Sequence, residues 1–201
     1  NMRIVRVNLK KRSYPIIIGC GIFSQLGPYL KKINIGTDAF VITNAFLKNK
    51  YGAKLLQVLS ANGFNCHFKL VTDSEKSKSI ETASRVIKEL AKFDQKKKVF
   101  IVAFGGGVVG DLAGFVASVY KRGINYVQIP TTLLAQVDSA IGGKTGVDLD
   151  LGKNLVGAFY QPSLVFSEVS FLKSLKITQV RSGMAEVIKY AVIKDRKLFN
   201  F

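Results

Sequence analysis

The sequence predicts an α/β fold: a largely parallel sheet with helices on its faces and a β-hairpin at its N-terminus. Three observations point there. Short apolar, β-branched runs alternate with longer segments of helical period, in βαβαβα order. Polar clusters follow the strand-like runs, so they gather at one edge of the sheet. One of these clusters is three consecutive glycines between a buried strand and a helix.

Residues 3–9 (RIVRVNL) alternate, and 14–19 (YPIIIG) are apolar and β-branched, with a basic turn between them, as in a hairpin. Residues 39–44 (AFVITN) form a short buried strand ending in polar residues, and 45–63 a helix stopped by Gly63. Residues 65–71 (NCHFKLV) are strand-like. In 79–93, Ile80, Ala83, Val86, Ile87 and Leu90 keep a helical period. A basic turn at 94–98 leads into the strand 99–104 (VFIVAF), too short to cross a bilayer. After the glycines, 111–121 reads as a helix, 126–130 (YVQIP) as a buried strand and 131–141 as a further helical segment. A glycine- and lysine-rich stretch follows, then strand character over 155–168. From Ile177 the pattern is helical to the last residue, as in the first half of a longer protein. The expected division is an α/β domain over 1–172 and the start of a truncated helical domain over 173–201.

A chain of 201 residues, 48% of them apolar, can bury one full core and part of another. The net charge of +17 comes from 30 basic against 13 acidic residues. The lysines are dispersed and no nucleic-acid motif accompanies them, so a solvated surface is expected and no nucleic-acid partner. No apolar run reaches membrane-spanning or signal-peptide length, so no membrane partner is expected either. Cys20 and Cys66 form no CxxC pair, which suits a reducing, cytoplasmic setting without disulfides. With His67 alone, no metal site in this chain can be built mainly from histidine.

The stretch 102–115 (VAFGGGVVGDLAGF) is the strongest local signal. Glycines let a ligand approach the backbone, and the following helix offers free N–H groups to a phosphate. Taken alone, it fits a tight strand-to-helix turn equally well. The clusters VITN, TDSEKSK, GGGVVGD and PTT all fall at strand ends, and four on one edge point to a site together. The stretch 138–154 (DSAIGGKTGVDLDLGKN) resembles a P-loop, but Asp138 stands where its first glycine should be. A second glycine–lysine pair, Gly152–Lys153, follows Gly143–Lys144 on the same stretch. Glu186 and Lys189 lie three apart on a helix; their apolar flank favours a buried pair over a surface one.

The run from Gly105 to Pro162, followed by RSGMAEVIKYA at 181–191, resembles the 3-dehydroquinate synthase family of sugar-phosphate cyclases. The resemblance covers nearly the whole chain and implies a Rossmann-like fold. It also implies NAD, a divalent metal (zinc, or cobalt), a sugar-phosphate substrate and a homodimer. NAD would oxidise a ring hydroxyl, phosphate would be eliminated, the ketone would be reduced back, and an intramolecular aldol step would close the carbocycle. Carried over by position, Thr43 and Asn44 lie near adenosine, and Asp73, Glu75 and Lys78 hold its ribose. Gly106, Gly107, Val108, Val109, Gly110 and Asp111 form the dinucleotide loop. Thr131, Thr132 and the turn Phe171, Leu172, Lys173 and Ser174 complete the NAD contacts. Asp138, Lys144, Lys153, Asn154 and Lys189 match substrate-pocket positions, with Lys144 and Lys153 also beside NAD. Arg122 matches an arginine that reaches the substrate phosphate from the partner subunit. Glu186 matches the one metal ligand in this half. The two histidine ligands fall in the absent half, so the chain is expected to be inactive alone. Asp148 and Asp150 make the stretch GVDLDLGKN more acidic than the family's usual pattern. The alternatives are another sugar-phosphate cyclase, a metal-dependent alcohol or glycerol dehydrogenase relative or, outside the class, a basic nucleic-acid-binding module.

Overall fold

A computed structural model describes residues 2–95 and 97–200; Lys96, in the expected basic turn, and the two terminal residues lie outside the described residues. The chain opens with the antiparallel hairpin β1 (Met2–Val7) and β2 (Tyr14–Gly19). Next come α1 (Leu26–Lys32), β3 (Asp38–Thr43), α2 (Ala45–Ala61), β4 (Asn65–Leu70) and α3 (Ile80–Phe93). Then follow β5 (Val99–Gly105), α4 (Gly107–Val119), β6 (Tyr126–Pro130), β7 (Lys144–Leu149), β8 (Gly152–Phe159) and β9 (Leu164–Glu168). Two helices, α5 (Ile177–Lys194) and α6 (Arg196–Phe199), finish it.

Among the described residues the main sheet has seven strands in the order β1-β2-β9-β6-β5-β3-β4, parallel except for β1. The apolar runs predicted as buried strands lie at its centre: β3, β6 and β9 are buried along their whole length. Such strands carry no polar alternation because helices cover both faces. One core packs α1 and α2 on one face around Leu55, Leu59 and Phe104. The other packs α3 and α4 on the opposite face around Val86, Leu112 and Val116. Ser79 caps α3 through the Thr82 N–H, and Asn44 caps α2 through the Leu47 N–H at 2.8 Å. The sheet therefore brings the ends of β3, β4, β5 and β6, with their polar clusters, to one edge.

Four expectations change. α4 starts at Gly107, four residues before the expected Asp111, so the last of the three glycines is already the first helical residue. The 131–141 segment is helical only briefly and winds into a π-helical turn at Ala135–Ser139. The glycine- and lysine-rich stretch is no loop: β7 and β8 pair as an antiparallel hairpin. Its glycines serve packing: a Cβ on Gly146 of β7 would stand 2.9 Å from the Val156 carbonyl oxygen of β8. Finally, the terminal helix breaks at Asp195, whose carboxylate accepts the Lys197 and Leu198 N–H groups and starts α6 afresh.

Candidate active site

The centre of the site is the turn from β5 into α4. Gly106 is the N-cap, no side chain caps the helix, and the N–H groups of its first turn are left for a ligand. A Cβ on Gly106 would meet Thr132 Cγ2 at 3.1 Å, and one on Gly107 would meet Ser139 Oγ at 3.0 Å. Larger residues would close this cradle. Val108 is half-buried, Val109 is buried in the core, and Gly110 gives way to the Gln128 side-chain amide, so these last two serve packing.

Two hollows flank the turn. The first, of about 410 Å³, is lined by Asn44, Asp73, Gly106, Thr131, Thr132 and Ser174. Thr43, the last residue of β3 before Asn44, has a buried hydroxyl without a partner. Asn44 has its amide oxygen taken by the α2 cap, which leaves its NH₂ for a ligand. The turn that delivers Ser174 is held by Glu168, whose carboxylate accepts the N–H groups of Gly21 at 2.7 Å and Ser170 at 3.0 Å. Burial raises the Glu168 pKa, but these bonds outweigh it and hold the group below the usual carboxylate range. Of the expected contact turn, Phe171 is a core residue packed on Phe23 and Tyr51, Leu172 is half-buried and Lys173 points to solvent.

The second hollow, of about 640 Å³, is lined by Asp111, Asp138, Ser139, Lys144 and Asn154 together with apolar residues of the β7–β8 hairpin. The Ser139 hydroxyl is buried there without a partner. Lys78 is buried beneath this edge; its ammonium lies 2.7 Å from Asp111 Oδ2 and also donates to the Asn154 side-chain oxygen. Burial lifts the Asp111 carboxyl above its ordinary value despite that cation. Asp148 ties the same hub together: its N–H donates to the Lys78 carbonyl at 2.7 Å and its carboxylate accepts the Asn154 N–H at 2.7 Å. Asn154 takes a left-handed φ of 57° there.

The two lysines do not converge. Lys144 starts β7 opposite Phe159 and lines the second hollow. Lys153 sits at the other end of the hairpin, exposed, with its ammonium 3.7 Å from Glu75. A hairpin holds its two ends apart, where a tight loop would have joined them. Arg122 lies in a left-handed turn beyond α4 (φ 65°), exposed, and lines neither hollow.

On α5, Glu186 and Lys189 do pair, but not as a buried pair: Glu186 is half-buried, while Lys189 is exposed, as are Met184, Ile188 and Val192 beside it. Of the apolar flank that suggested burial, Ala185 and Ile188 are exposed and Val187 and Tyr190 half-buried. The Lys189 ammonium holds the Glu186 carboxyl below its usual range. Two residues anchor α5 to the site. A Cβ on Gly183 would stand 2.6 Å from Leu133 Cγ, and the Tyr190 hydroxyl donates to Asp138 Oδ1 at 2.6 Å. Tyr190, Asp148 and Ser139 were missed from sequence; only their adjacency to Lys189, in GVDLD and to Asp138 could have marked them.

No group of three or more His, Cys, Asp or Glu side chains that could hold a metal occurs among the described residues. His67 bonds Glu89 and stacks on Phe40 and Phe93, an ordinary strand residue.

Residues 68–182, which hold the glycine turn, the hairpin and Gly183's approach segment, match the family model for the N-terminal part of 3-dehydroquinate synthase. The chain belongs to the 3-dehydroquinate synthase family. A curated 3-dehydroquinate synthase from Pelotomaculum thermopropionicum is 48% identical over 198 residues, 98% of this chain and 53% of the relative. The chain spans about half the length of the curated 3-dehydroquinate synthases it matches. Among solved structures, 2-deoxy-scyllo-inosose synthase complexed with carbaglucose-6-phosphate, NAD+ and Co2+ superposes with a TM-score of 0.87 at 26% identity, over 95% of this chain and 52% of that one. The 2-epi-5-epi-valiolone synthase of Streptomyces hygroscopicus, with NAD+ and Zn2+ bound, gives 0.85 at 31%, over 96% of this chain and 53% of that one. Like these cyclases, this chain has a Rossmann-like fold. An alcohol dehydrogenase from Thermotoga maritima, at 18% identity and a TM-score of 0.74, shares the fold alone.

Proposed function

We propose that this chain is the NAD-binding part of a 3-dehydroquinate synthase, which converts the phosphorylated seven-carbon sugar acid DAHP into 3-dehydroquinate and phosphate. The observation that carries this is the uncapped glycine turn standing between two hollows, with Gly106 lining one and Gly107 against Ser139 of the other. One turn then serves dinucleotide and sugar phosphate together. The identity of 48% to a curated 3-dehydroquinate synthase, against 26% and 31% to cyclases of other named products, supports this substrate over theirs.

The residues present fit NAD. The Gly106–Gly107 cradle would take the pyrophosphate on the free N–H groups of α4, and Asp73 and Glu75 the adenosine ribose. Thr131, Thr132 and Ser174 would line its first hollow, with Thr43 and Asn44 beside the adenosine. NAD supplies the hydride acceptor and donor. Toward the substrate, Lys144 offers a point charge for the phosphate, and Asp138 and Asn154 orient hydroxyls. Lys78 and Asp148 hold Asn154 in place. The residues present do not fit a metal by themselves, because Glu186 is the one candidate ligand the chain brings. In a homodimer, Arg122 would reach the partner's hollow, and the exposed apolar side chains Leu151 and Phe159 would be covered by the second copy. Residues 173–201 would begin the helical, metal-bearing part. A soluble setting fits the absence, among the described residues, of any helix long and apolar enough to cross a membrane.

The test is phosphate release from DAHP with NAD and zinc. The chain alone is expected to release none while still binding NAD. Turnover by the chain alone would overturn the requirement for further metal ligands.

A further inference from the structure

A third hollow lies at the opposite, amino-terminal edge of the sheet. Its volume is about 660 Å³, and the β1–β2 hairpin, the end of α1 and the segment 159–163 frame it. Four cations line it, Arg6, Lys11, Arg12 and Lys32, and among the described residues no carboxylate does. The sequence accounts for that bias: residues 1–37 contain seven basic side chains and no acidic one.

The cations come from held backbone. Lys10 takes a left-handed φ of 54°, a conformation unfavourable for an L-residue because its Cβ crowds the following carbonyl. Ser13 maintains it, since its hydroxyl accepts the Leu9 N–H at 2.8 Å and donates to the Lys10 carbonyl at 2.7 Å. Lys11 and Arg12 are thereby presented from a locked turn. Arg6 stands on β1 directly across from Pro15, and Lys32 closes the last turn of α1. Four like charges around one hollow repel one another, and a bound anion turns that repulsion into attraction. The two guanidinium forks suit phosphate oxygens, and Ile33, Tyr160 and Pro162 supply apolar wall.

We propose that this hollow is a second anion site, for a small phosphate-bearing molecule, separate from the proposed NAD and sugar-phosphate site. Phe159 is the one residue lining both this hollow and the one that holds Lys144. The site goes beyond the proposed function and does not depend on it.

The experiment is a titration of the chain with inorganic pyrophosphate at physiological salt, followed by backbone amide NMR. The comparison uses three variants: R6Q/R12Q, K144Q, and K88Q/K92Q on distant α3. The expected result is saturable binding, with shifts at residues 6–13, 32–33 and 159–163. R6Q/R12Q should weaken it roughly tenfold or more, while K144Q and K88Q/K92Q leave it unchanged. Shifts confined to 106–111 and 142–154 that vanish in K144Q would overturn the proposal. So would equal weakening in R6Q/R12Q and K88Q/K92Q, which would mean diffuse attraction by net charge.

Discussion

Replacing Lys78 by methionine removes a buried cation while keeping most of its stem. Lys78 is 4% exposed, and its ammonium is shared between Asp111 and Asn154. Breaking a fully buried ion pair costs about 3–5 kcal/mol. The Asp111 side chain is still 22% exposed, which discounts that to about 2–3 kcal/mol. The lost hydrogen bond to Asn154 adds about 1 kcal/mol. A chain of this size loses about 2–4 °C of Tm per kcal/mol, so K78M should melt about 10 °C lower. The loss must also depend on pH. Burial already lifts the Asp111 carboxyl above its ordinary value. A carboxyl raised on folding favours the folded state below its unfolded pKa, and that contribution is lost as pH rises through the folded pKa. Without Lys78 the folded value climbs further, so the deficit should be smaller near pH 5 than near pH 8. Urea melts at both pH values measure it, and K78M/D111L should recover part of the loss by removing the orphaned charge. A deficit below about 1 kcal/mol, equal at both pH values and not recovered, would refute Lys78 as a buried hub.

Two further outcomes are expected. Y190F removes the donor to Asp138, so amide exchange in α5 should quicken and stability fall by about 1 kcal/mol, while NAD binding holds; unchanged protection of α5 would count against the anchor. Cys20 is exposed, whereas burial pushes the Cys66 thiol up to about 12, so a thiol-reactive dye near neutral pH should label one cysteine quickly and the other only on unfolding.

The central strands were legible because β-branched, apolar runs can do little else once both sheet faces are covered, and β3, β6 and β9 have that composition. α1 was not, because LGPYLKK is short and carries both Gly and Pro. The β7–β8 hairpin was hidden by its own glycines, which read as loop residues. In the fold they let strands close: a Cβ on Gly157 would stand 2.2 Å from the Thr145 carbonyl. At the site, the strand-end clusters were visible as local patterns. The Tyr190–Asp138 bond joins residues 52 apart, and the Asp148–Lys78 bond joins β7 to the turn before α3, so neither leaves a local signature. The Glu186–Lys189 pair shows the reverse case: an apolar flank suggests burial, yet Lys189 and Ile188 are exposed and Glu186 is only half-buried.

The central claim, that the glycine turn holds a dinucleotide, is tested most directly by titrating NAD into the chain and into Gly107→Val. The added side chain would run into Ser139, already 3.0 Å from a bare Cβ. The account predicts that millimolar NAD raises the melting temperature of the unmodified chain, because a ligand of the folded state alone must do so. It also predicts that the variant keeps its circular dichroism spectrum and loses the shift. No shift in the unmodified chain, or an equal shift in both, would contradict it.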